Sequence, residues 1–580
     1  VIDGLQLVGQ AVIRKYDQDE NVTNKKIINY DWDNNEVREK RTPNSAERRY
    51  QKTLSKNFTL YADYKKNFND RHDLSVMVGT SHESENYDRF TAKRINFDQQ
   101  ENMSLQLGSA QDQNAWSEGN QWTINSFFSR VNYTFANKYV IEGTIRADGS
   151  SRFDPDHRWG WFPGVNAAWR VGEEGFMKRL GWFEDLKVRA SYGEMGNQSG
   201  IGLYDYIQLI SLSNDYYPFG AGVKGQMATS GNIISTSRTW ETIQTTNVGF
   251  DFSTLNNRLY GSFDYFWKEN KNMLIPKTYP SMLGADAPST NSGHLSIHGW
   301  EISLGWRDQI KDFSYSVRFN ISDAKNKVVD RVGSNLIQLG NNETPTGYPL
   351  NSYFGYEFDG IIQNEQELEA YKSRFSEGGI PGDLSVGDAM YKDLDGDGKL
   401  SVLGDGKEGS GDVKYLGDKN PRYNFGFNLS MAWKGFDLSA FIQGVGRRTM
   451  FLEGESRCPM PEAWYQSAEY WYGKTWTPER TDAQYPAITL KDKRNYNYYV
   501  STNTKFNVAY ARLKNLQFGY TIPQTLTSKA GLQKVRVYFS GEDLFEVHNT
   551  PNGWDPEENS GSITSYPFTR NYSFGINVVF

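Results

Sequence analysis

The sequence predicts an all-β fold: a transmembrane, antiparallel, up-and-down β-barrel, with about 16 strands carried by this chain. Three observations predict it. Apolar and polar residues alternate with period 2 in many segments of about ten residues or more, the length a tilted membrane-spanning strand needs. The connections between these segments run long, short, long, short. Aromatic residues make up 15% of the 580 residues and there are 54 glycines, yet mean hydropathy is -0.69. Alternation reconciles those last two facts, because apolar and polar positions cancel within any window.

The clearest segment is residues 312–322, where Phe313, Tyr315, Val317, Phe319 and Ile321 share one face and Ser314, Ser316, Arg318, Asn320 and Ser322 the other. In chain order the predicted strands lie near 5–13, 50–65, 72–86, 122–135, 139–148, 162–172, 186–193, 244–254, 258–268, 298–307, 312–322, 422–433, 436–446, 508–522, 533–545 and 568–580. In the last of these, Phe568, Arg570, Tyr572, Phe574, Ile576, Val578 and Phe580 share a face, and a final strand closing on Phe580 looks like an outer-membrane insertion signal.

Short connections include Ala136-Asn137-Lys138, Asn256-Asn257, Asp308 to Lys311 and Lys434-Gly435. Long ones are expected near 14–49, 87–121, 194–243, 269–297, 323–421 and 447–507. One rim of a membrane barrel carries tight periplasmic turns and the other long extracellular loops, so this parity is its signature. A soluble sandwich has no reason to keep it, and a propeller would show a fixed repeat. Aromatics flank the short turns (Phe135 and Tyr139, Trp306 and Phe313, Trp433 and Phe436), as a girdle at the lower membrane interface would.

Other classes are excluded or disfavoured. No run of 18 apolar residues exists, so no transmembrane helix is expected; closed barrels remain the other way to span a bilayer. A net charge of -7 gives no basic field for nucleic acid. The lone Cys458 forms no disulfide framework and reads as a buried thiol. The start, VIDGLQLVGQ, has no signal-peptide pattern and reads as a chain entered in mid-strand. The six histidines form no H-E-x-x-H, His294 and His298 read as solvated rather than metal-binding, and no G-x-S-x-G, Walker A or dinucleotide motif is in context, so no enzyme is expected.

Several blocks resemble one family, the SusC/RagA-like TonB-linked outer-membrane proteins of Bacteroidota. They include RADGSSRF (Arg146 to Phe153), the stretch from Arg158 to Lys178, LKVRASYGEMGN (Leu186 to Asn197), WETIQTTNVGFDF (Trp240 to Phe252), YKDLDGDGKL (Tyr391 to Leu400), the stretch from Lys419 to Gly446, WTPERTDAQYP (Trp476 to Pro486), ARLKNLQFGYTIP (Ala511 to Pro523), SGEDLF (Ser540 to Phe545) and GWDPE (Gly553 to Glu557). They occur in the family's order and cover most of residues 120–580. The resemblance implies a TonB-dependent receptor whose full barrel has about 22 strands, of which residues 1–580 would be the C-terminal portion, with the plug domain absent from this chain. It implies location in the outer membrane among its lipids, a SusD-like lipoprotein lid as partner, and coupling to a TonB-ExbB-ExbD complex through a missing N-terminal region.

Two groups of residues are candidate sites. Asp393, Asp395 and Asp397, in DLDGDGKLSVLGD, place carboxylates on alternate residues around glycine, as a Ca²⁺ loop does; Lys399 would offer its carbonyl, with Ser401 and Asp405 further on. The EF-hand position for a bidentate Glu is Gly404, and the tract also reads as a tight solvated turn. No cofactor is required; a structural Ca²⁺ is the one candidate. Trp464, Tyr465, Tyr470, Trp471, Tyr472 and Trp476 could stack on sugar faces or pack the loop, packing being the stronger reading for Trp471 and Trp476, and EAWYQSAEYW could form a short helix. Arg130, Asn132, Glu142, Thr144, Arg146, Arg189 and Arg318 would face a wet lumen, mostly satisfying one another.

The expected function is therefore TonB-dependent active import of a large nutrient, an oligosaccharide first, with a SusD-like lipoprotein. The alternatives are an importer of peptides or another ligand, a passive 16-stranded porin, and an outer-membrane hydrolase.

Overall fold

The computed structural model describes residues 2–219, 223–230, 233–276, 289–331, 339–340, 344–403, 411–461, 467–489, 493–558, 566 and 568–580. Sixteen long strands form one sheet in which each is hydrogen-bonded to its neighbours in chain order. They are β1 (Leu5–Asn24), β2 (Ser45–Phe68), β3 (His72–Ile95), β4 (Gln113–Phe135), β5 (Tyr139–Ser150), β6 (Trp159–Arg170), β7 (Asp185–Asn197), β8 (Glu241–Thr254), β9 (Leu259–Pro276), β10 (Ser289–Ile310), β11 (Phe313–Asp330), β12 (Arg422–Trp433), β13 (Phe436–Arg447), β14 (Tyr510–Thr521), β15 (Lys534–His548) and β16 (Asn571–Val579). The short connections turn on left-handed residues: Asn69 and Asp70, Ala136 and Asn137, Asn256 and Asn257, and Lys434 with Gly435 all have positive φ. Tight hairpins require that conformation, and Asn, Asp and Gly reach it at least cost.

The chain divides into two compact units. The first comprises residues 1–167, 193–243 and 272–291. Here β1 to β4 run antiparallel in unbroken register, from Leu5↔Tyr64 to Asn24↔Ser45 and from Phe68↔His72 to Ser45↔Ile95. Register sorts their side chains into two faces. Phe58, Leu60, Val78, Phe127, Val131 and Tyr133 lie on one and are exposed, Leu60, Val78 and Phe127 each at 58%. Asn57, Thr59, Asp63, Arg130, Asn132 and Glu142 lie on the other. Contiguous rows of exposed large apolar side chains are stable against lipid rather than water.

The observed strands of this unit are longer than the sequence suggests. Residues 14–24, 45–49, 87–95 and 113–121, assigned above to loops 14–49 and 87–121, continue the ladder. Beyond the apolar belt polar residues predominate on both faces, with exceptions such as Tyr50 opposite Phe90, so the alternation signal fades while the backbone keeps pairing. Side-chain pairs hold these extensions: Arg48 donates to both Asp19 oxygens (3.1 and 2.6 Å), and Arg89 reaches Glu118 (3.0 Å). A hairpin, Ile27–Tyr30 with Glu36–Lys40, joins β1 to β2. A small core of Phe153, Phe162, Ile201 and Trp240 packs further loop segments.

The second unit comprises residues 168–192, 244–271 and 292–580. Its ladder is read residue by residue from β10 to β16, for example Trp306↔Val317, Val317↔Leu429 and Leu429↔Ala440. Phe313, Tyr315, Val317, Phe319 and Ile321 again share a face, aligned with Trp433, Met431, Leu429, Phe427 and Phe425. Strands also overrun the expected loops around this unit: β11 ends at Asp330, while β9 continues to Pro276 and β10 begins at Ser289, those two outer ends belonging to the first unit. The buried cores of this unit lie in the connections between β11 and β12 and between β13 and β14.

Candidate functional site

Those two connections fold as one body. Ser352–Tyr356 pairs with Val413–Asp418, and Phe358–Ile361 with Ala389–Tyr391. Between them runs the helix Glu365–Lys372, started by Asn364, whose side chain accepts from the Glu367 amide at 2.9 Å while Glu367 accepts from the Gln363 amide, a capping box in outline. Strand and helix enclose Ile362, Leu368, Tyr371 and Tyr391, and the second connection completes this core with Tyr496. Its hydroxyls are satisfied internally: the Tyr371 and Tyr496 hydroxyls bond each other at 2.8 Å, and Tyr391 donates to the Tyr496 carbonyl at 2.8 Å. Asn497 donates to Asp388 at 2.9 Å and accepts from the Ala389 amide at 3.0 Å. Burial pushes the Tyr391 phenol well above the usual range, so this core stays neutral.

Of the six aromatic candidates, Trp464 and Tyr465 lie outside the described residues. Tyr470 and Trp471 are buried, at 8% and 3% exposure, in a second core with Tyr485, Tyr498, Val508, Trp554 and Cys458. Tyr485 and Tyr498 pack edge-on to the Trp471 ring, and the Tyr470 hydroxyl bonds that of Tyr485 at 2.6 Å. Lys474 sits 3.5 Å over the Tyr470 ring, where burial lowers its affinity for a proton. Trp476 donates to Gln363 at 3.0 Å and lies against Gly387, whose φ of +95° and 2.6 Å clearance to that ring admit no side chain. The three rings of Tyr470, Trp471 and Trp476 are thus packed within the loop body. Tyr472 differs: it is 90% exposed just after the 3-10 turn Glu469–Trp471, and of the expected helix the structure describes residues 467–471, in which only that turn is helical.

The acidic tract is organised differently from an EF-hand. Asp393 closes its own turn, accepting from the amides of Gly396 (2.7 Å) and Gly398 (2.9 Å). Asp397 turns back on the Lys399 amide (2.7 Å), away from the cluster, and Asp405 lies outside the described residues. Asp393 and Asp395 converge with Asp412, each bringing a carboxylate oxygen within 4.8 Å of the others. Asp412 is fully buried and accepts from the amides of Leu394 (2.6 Å) and Ser401 (2.8 Å). Burial, then the neighbouring carboxylates, raises the proton affinity of Asp395 and Asp412. Sequence spacing could not find Asp412, which loop closure brings in.

A third cluster was not anticipated. Arg512, 1% exposed, is met by Asp555 at 2.5 Å, Glu557 at 3.3 Å and Glu546 at 3.6 Å, with the Phe568 ring 4.3 Å away. Asp555 and Glu557 come from the GWDPE block, which also sends Trp554 into the Trp471 core. Arg448 donates to the carbonyls of Pro556 (2.7 Å) and Glu558 (2.9 Å), so the connection after β15 is tied down by charge-assisted bonds.

The polar face of the sheet is largely self-satisfied. Arg189 bridges Asp264 (2.5 Å) and Asp251 (3.1 Å); Arg146 meets Asp148 (2.8 Å) and Ser126; Asn132 donates to Glu142 (3.2 Å); Thr144 donates to the Gly164 carbonyl (3.4 Å); Arg318 lies over the Tyr260 ring. Arg130 stands on the same face, in register with Thr144. His294 bonds Glu269 at 2.6 Å.

Residues 10–544 match the family model described as TonB dependent receptor-like, beta-barrel. The chain is 32% identical over 558 residues to TonB-dependent receptor P3 of Formosa agariphila, covering 91% of this chain and 52% of that protein. It is 26% identical to TonB-dependent receptor SusC of Bacteroides thetaiotaomicron, covering 90% and 50%. It thus spans about half the length of the curated relatives it matches. In fold it superposes on the RagAB peptide transporter with a TM-score of 0.80, at 23% identity, over 100% of this chain and 60% of that one. These relatives are named receptors and transporters, not enzymes. With an antiparallel ladder whose exposed apolar belt fits the outer membrane and a family match across most of its length, the chain belongs to the TonB-dependent receptor β-barrels.

Proposed function

We propose that this chain forms the barrel portion of an active importer that moves a large nutrient, an oligosaccharide, across the outer membrane. Binding would be shared with a SusD-like lipoprotein lid, and work would come from TonB-ExbB-ExbD through segments outside residues 1–580. No covalent chemistry is asked of the barrel. The observation that carries the ligand class is Tyr472: a flat ring, 90% exposed, on a turn whose neighbours Tyr470 and Trp471 are locked in a core. A rigidly mounted aromatic loses little entropy on binding and can lie against the C–H face of a sugar ring. The related RagAB is named a peptide transporter, which keeps peptides as the second reading.

Calorimetric titration of the intact receptor and lid with a panel of oligosaccharides and peptides tests this. Binding of one oligosaccharide class, weakened roughly tenfold by Tyr472→Ala (about 1.4 kcal/mol), supports the assignment. Binding of peptides alone would replace oligosaccharide by peptide as cargo. Open conductance of the intact protein in planar bilayers would favour the passive porin and reject active import.

We further propose that Asp393, Asp395 and Asp412 hold a structural Ca²⁺, since clustered carboxylate oxygens on a tightly turned backbone suit a hard cation. Added Ca²⁺ should then slow proteolysis between residues 390 and 412 in the wild type and not in Asp393→Asn/Asp395→Asn; equal protection of both would remove the site.

A further inference from the structure

We infer that the lipid-side surface of the first unit carries a binding site for the sugar- and phosphate-bearing headgroup of a glycolipid in the surrounding leaflet. The inference rests on the outer-membrane reading, not on any nutrient. The site is a cavity of about 440 Å³ bordered by Lys52, Leu54, Asn86, Asp88, Gln121 and Tyr204.

Register fixes which face it opens on. Lys52 lies opposite Asp88, and Asp88 opposite Gly119; Leu54 lies opposite Asn86, and Asn86 opposite Gln121. These two rows continue the face that carries Phe58, Leu60, Val78 and Phe127, so the cavity opens on the lipid side of the sheet. Gly119 leaves the floor of the first row bare. Tyr204 stands at the edge, its hydroxyl accepting from the Gln121 amide at 3.2 Å, beyond the point where β5 stops pairing with β4 at Ile124↔Ser150.

Register also fixes the height. The unbroken apolar run on this face of β2 ends at Phe58, and Lys56 is the next position. At about 3.3 Å per residue and a tilt of roughly 40°, Lys56 stands about 5 Å beyond the hydrocarbon edge, in the phosphate layer. Leu54 and Lys52 stand roughly 10 and 15 Å beyond it on the same count. A phospholipid headgroup layer is only about 5–7 Å deep on each side, so it would reach Lys56 and stop below the cavity. A headgroup that carries sugars beyond its phosphate would reach both.

Chemistry agrees with position. Several charged residues on these extensions are paired: Arg48 with Asp19, Lys15 with Asp17, Arg49 with Glu20 and Glu47. Lys56, Asn86 and Asp88 make no side-chain hydrogen bond or ion pair among the described residues, and Lys52, which lies between Asp17 and Asp88 in register, acts on Asp17 only through its charge and at longer range than an ion pair. The Lys56 ammonium, with Lys52 beside it and outside any close ion pair, suits phosphate or acidic sugar. A free carboxylate and a free amide suit hydroxyls. An aromatic edge suits a pyranose ring. Phosphate recognition alone would not place Asp88 here, because like charges repel.

The test uses the full-length protein, purified in detergent, with lipid retention read by native mass spectrometry. Three probes are added separately: lipopolysaccharide, phosphatidylglycerol, and the lipid-free core oligosaccharide. Lipopolysaccharide should be retained in defined stoichiometry, and Lys52→Glu/Lys56→Glu should lower its retention at least roughly tenfold. Gly119→Trp, which fills the cavity without changing charge, should lower it as well; slower migration of the unheated protein on SDS gels identifies any variant that has not folded. Four results would overturn the inference: undiminished retention by the folded variants; equal retention of phosphatidylglycerol, which reduces the site to a basic rim; equal binding of the lipid-free oligosaccharide, which makes it a soluble-sugar site; or protection of the cavity by the lipoprotein partner. None uses import as readout, so a wrong cargo assignment leaves the test intact.

Discussion

The strand wall of the first unit and the loop body of the second handle large side chains in opposite ways. In the wall, Leu60, Val78, Phe127 and Ile141 stand 56–58% exposed on one face, while polar residues on the other face bond among themselves. In the loop body, Tyr371, Tyr391 and Tyr496 are 0–2% exposed and their hydroxyls bond one another and nearby carbonyls. The same chain therefore obeys two solvents. Against lipid, an exposed apolar row is the low-energy arrangement and strand-to-strand backbone pairing supplies the stability. Against water, burial of aromatic area does. Loop regions of this length would ordinarily remain irregular; here two distant connections share one core and act as a small domain.

The largest expected effect separates the two regimes. Tyr391→Ala removes a fully buried ring and leaves the Tyr496 carbonyl without its donor, a loss of about 3–5 kcal/mol within the loop body. The wall should be untouched. Limited proteolysis should cut rapidly between residues 352 and 418 while the unheated variant still migrates as folded barrel on SDS gels. If barrel and loops fail together, the loop body is not an independent folding unit.

The next effect belongs to the wall. Val131, 44% exposed, sits midway along the apolar row of β4 from Phe127 to Phe135. Val131→Arg should cost about 2–4 kcal/mol in equilibrium folding into lipid vesicles. Asn132→Arg, one residue along and on the polar face beside Glu142, should cost little. Equal costs at the two positions would mean that neither face meets lipid, and the membrane assignment would fall.

Much of this contrast was legible in the sequence, and what was not has physical reasons. The face shared by Phe313, Tyr315, Val317, Phe319 and Ile321 was readable because a lipid-facing row must be apolar at every second residue. The extensions of β1 to β4 were not, because above the belt both faces are mostly polar and pairing leaves little hydropathy trace. The packing reading of Trp471 and Trp476 describes where their rings lie, yet nothing in the spacing distinguished them from exposed Tyr472. Asp393 and Asp395 were visible as a motif. Asp412 and the carboxylates around Arg512 were not, since their partners are set by loop closure rather than by separation along the chain.

The smallest effect probes how far surface charge contributes to the loop body. Glu357 accepts from both Lys392 (2.6 Å) and Lys414, and these two ammonium groups hold its carboxyl down at about 2. A depressed folded-state value means the pair's contribution is complete above the unfolded value and is lost as pH falls through the range from about 4.5 to about 2. The three side chains remain 25–45% exposed, so water and salt screen them and the contribution stays below about 1 kcal/mol. Glu357→Gln should accelerate loop proteolysis slightly at pH 7 and low salt, and the difference from wild type should vanish near pH 2 or in about 1 M salt. A difference that survives high salt would mean that Glu357 acts through packing against the Tyr356–Tyr391 core rather than through charge.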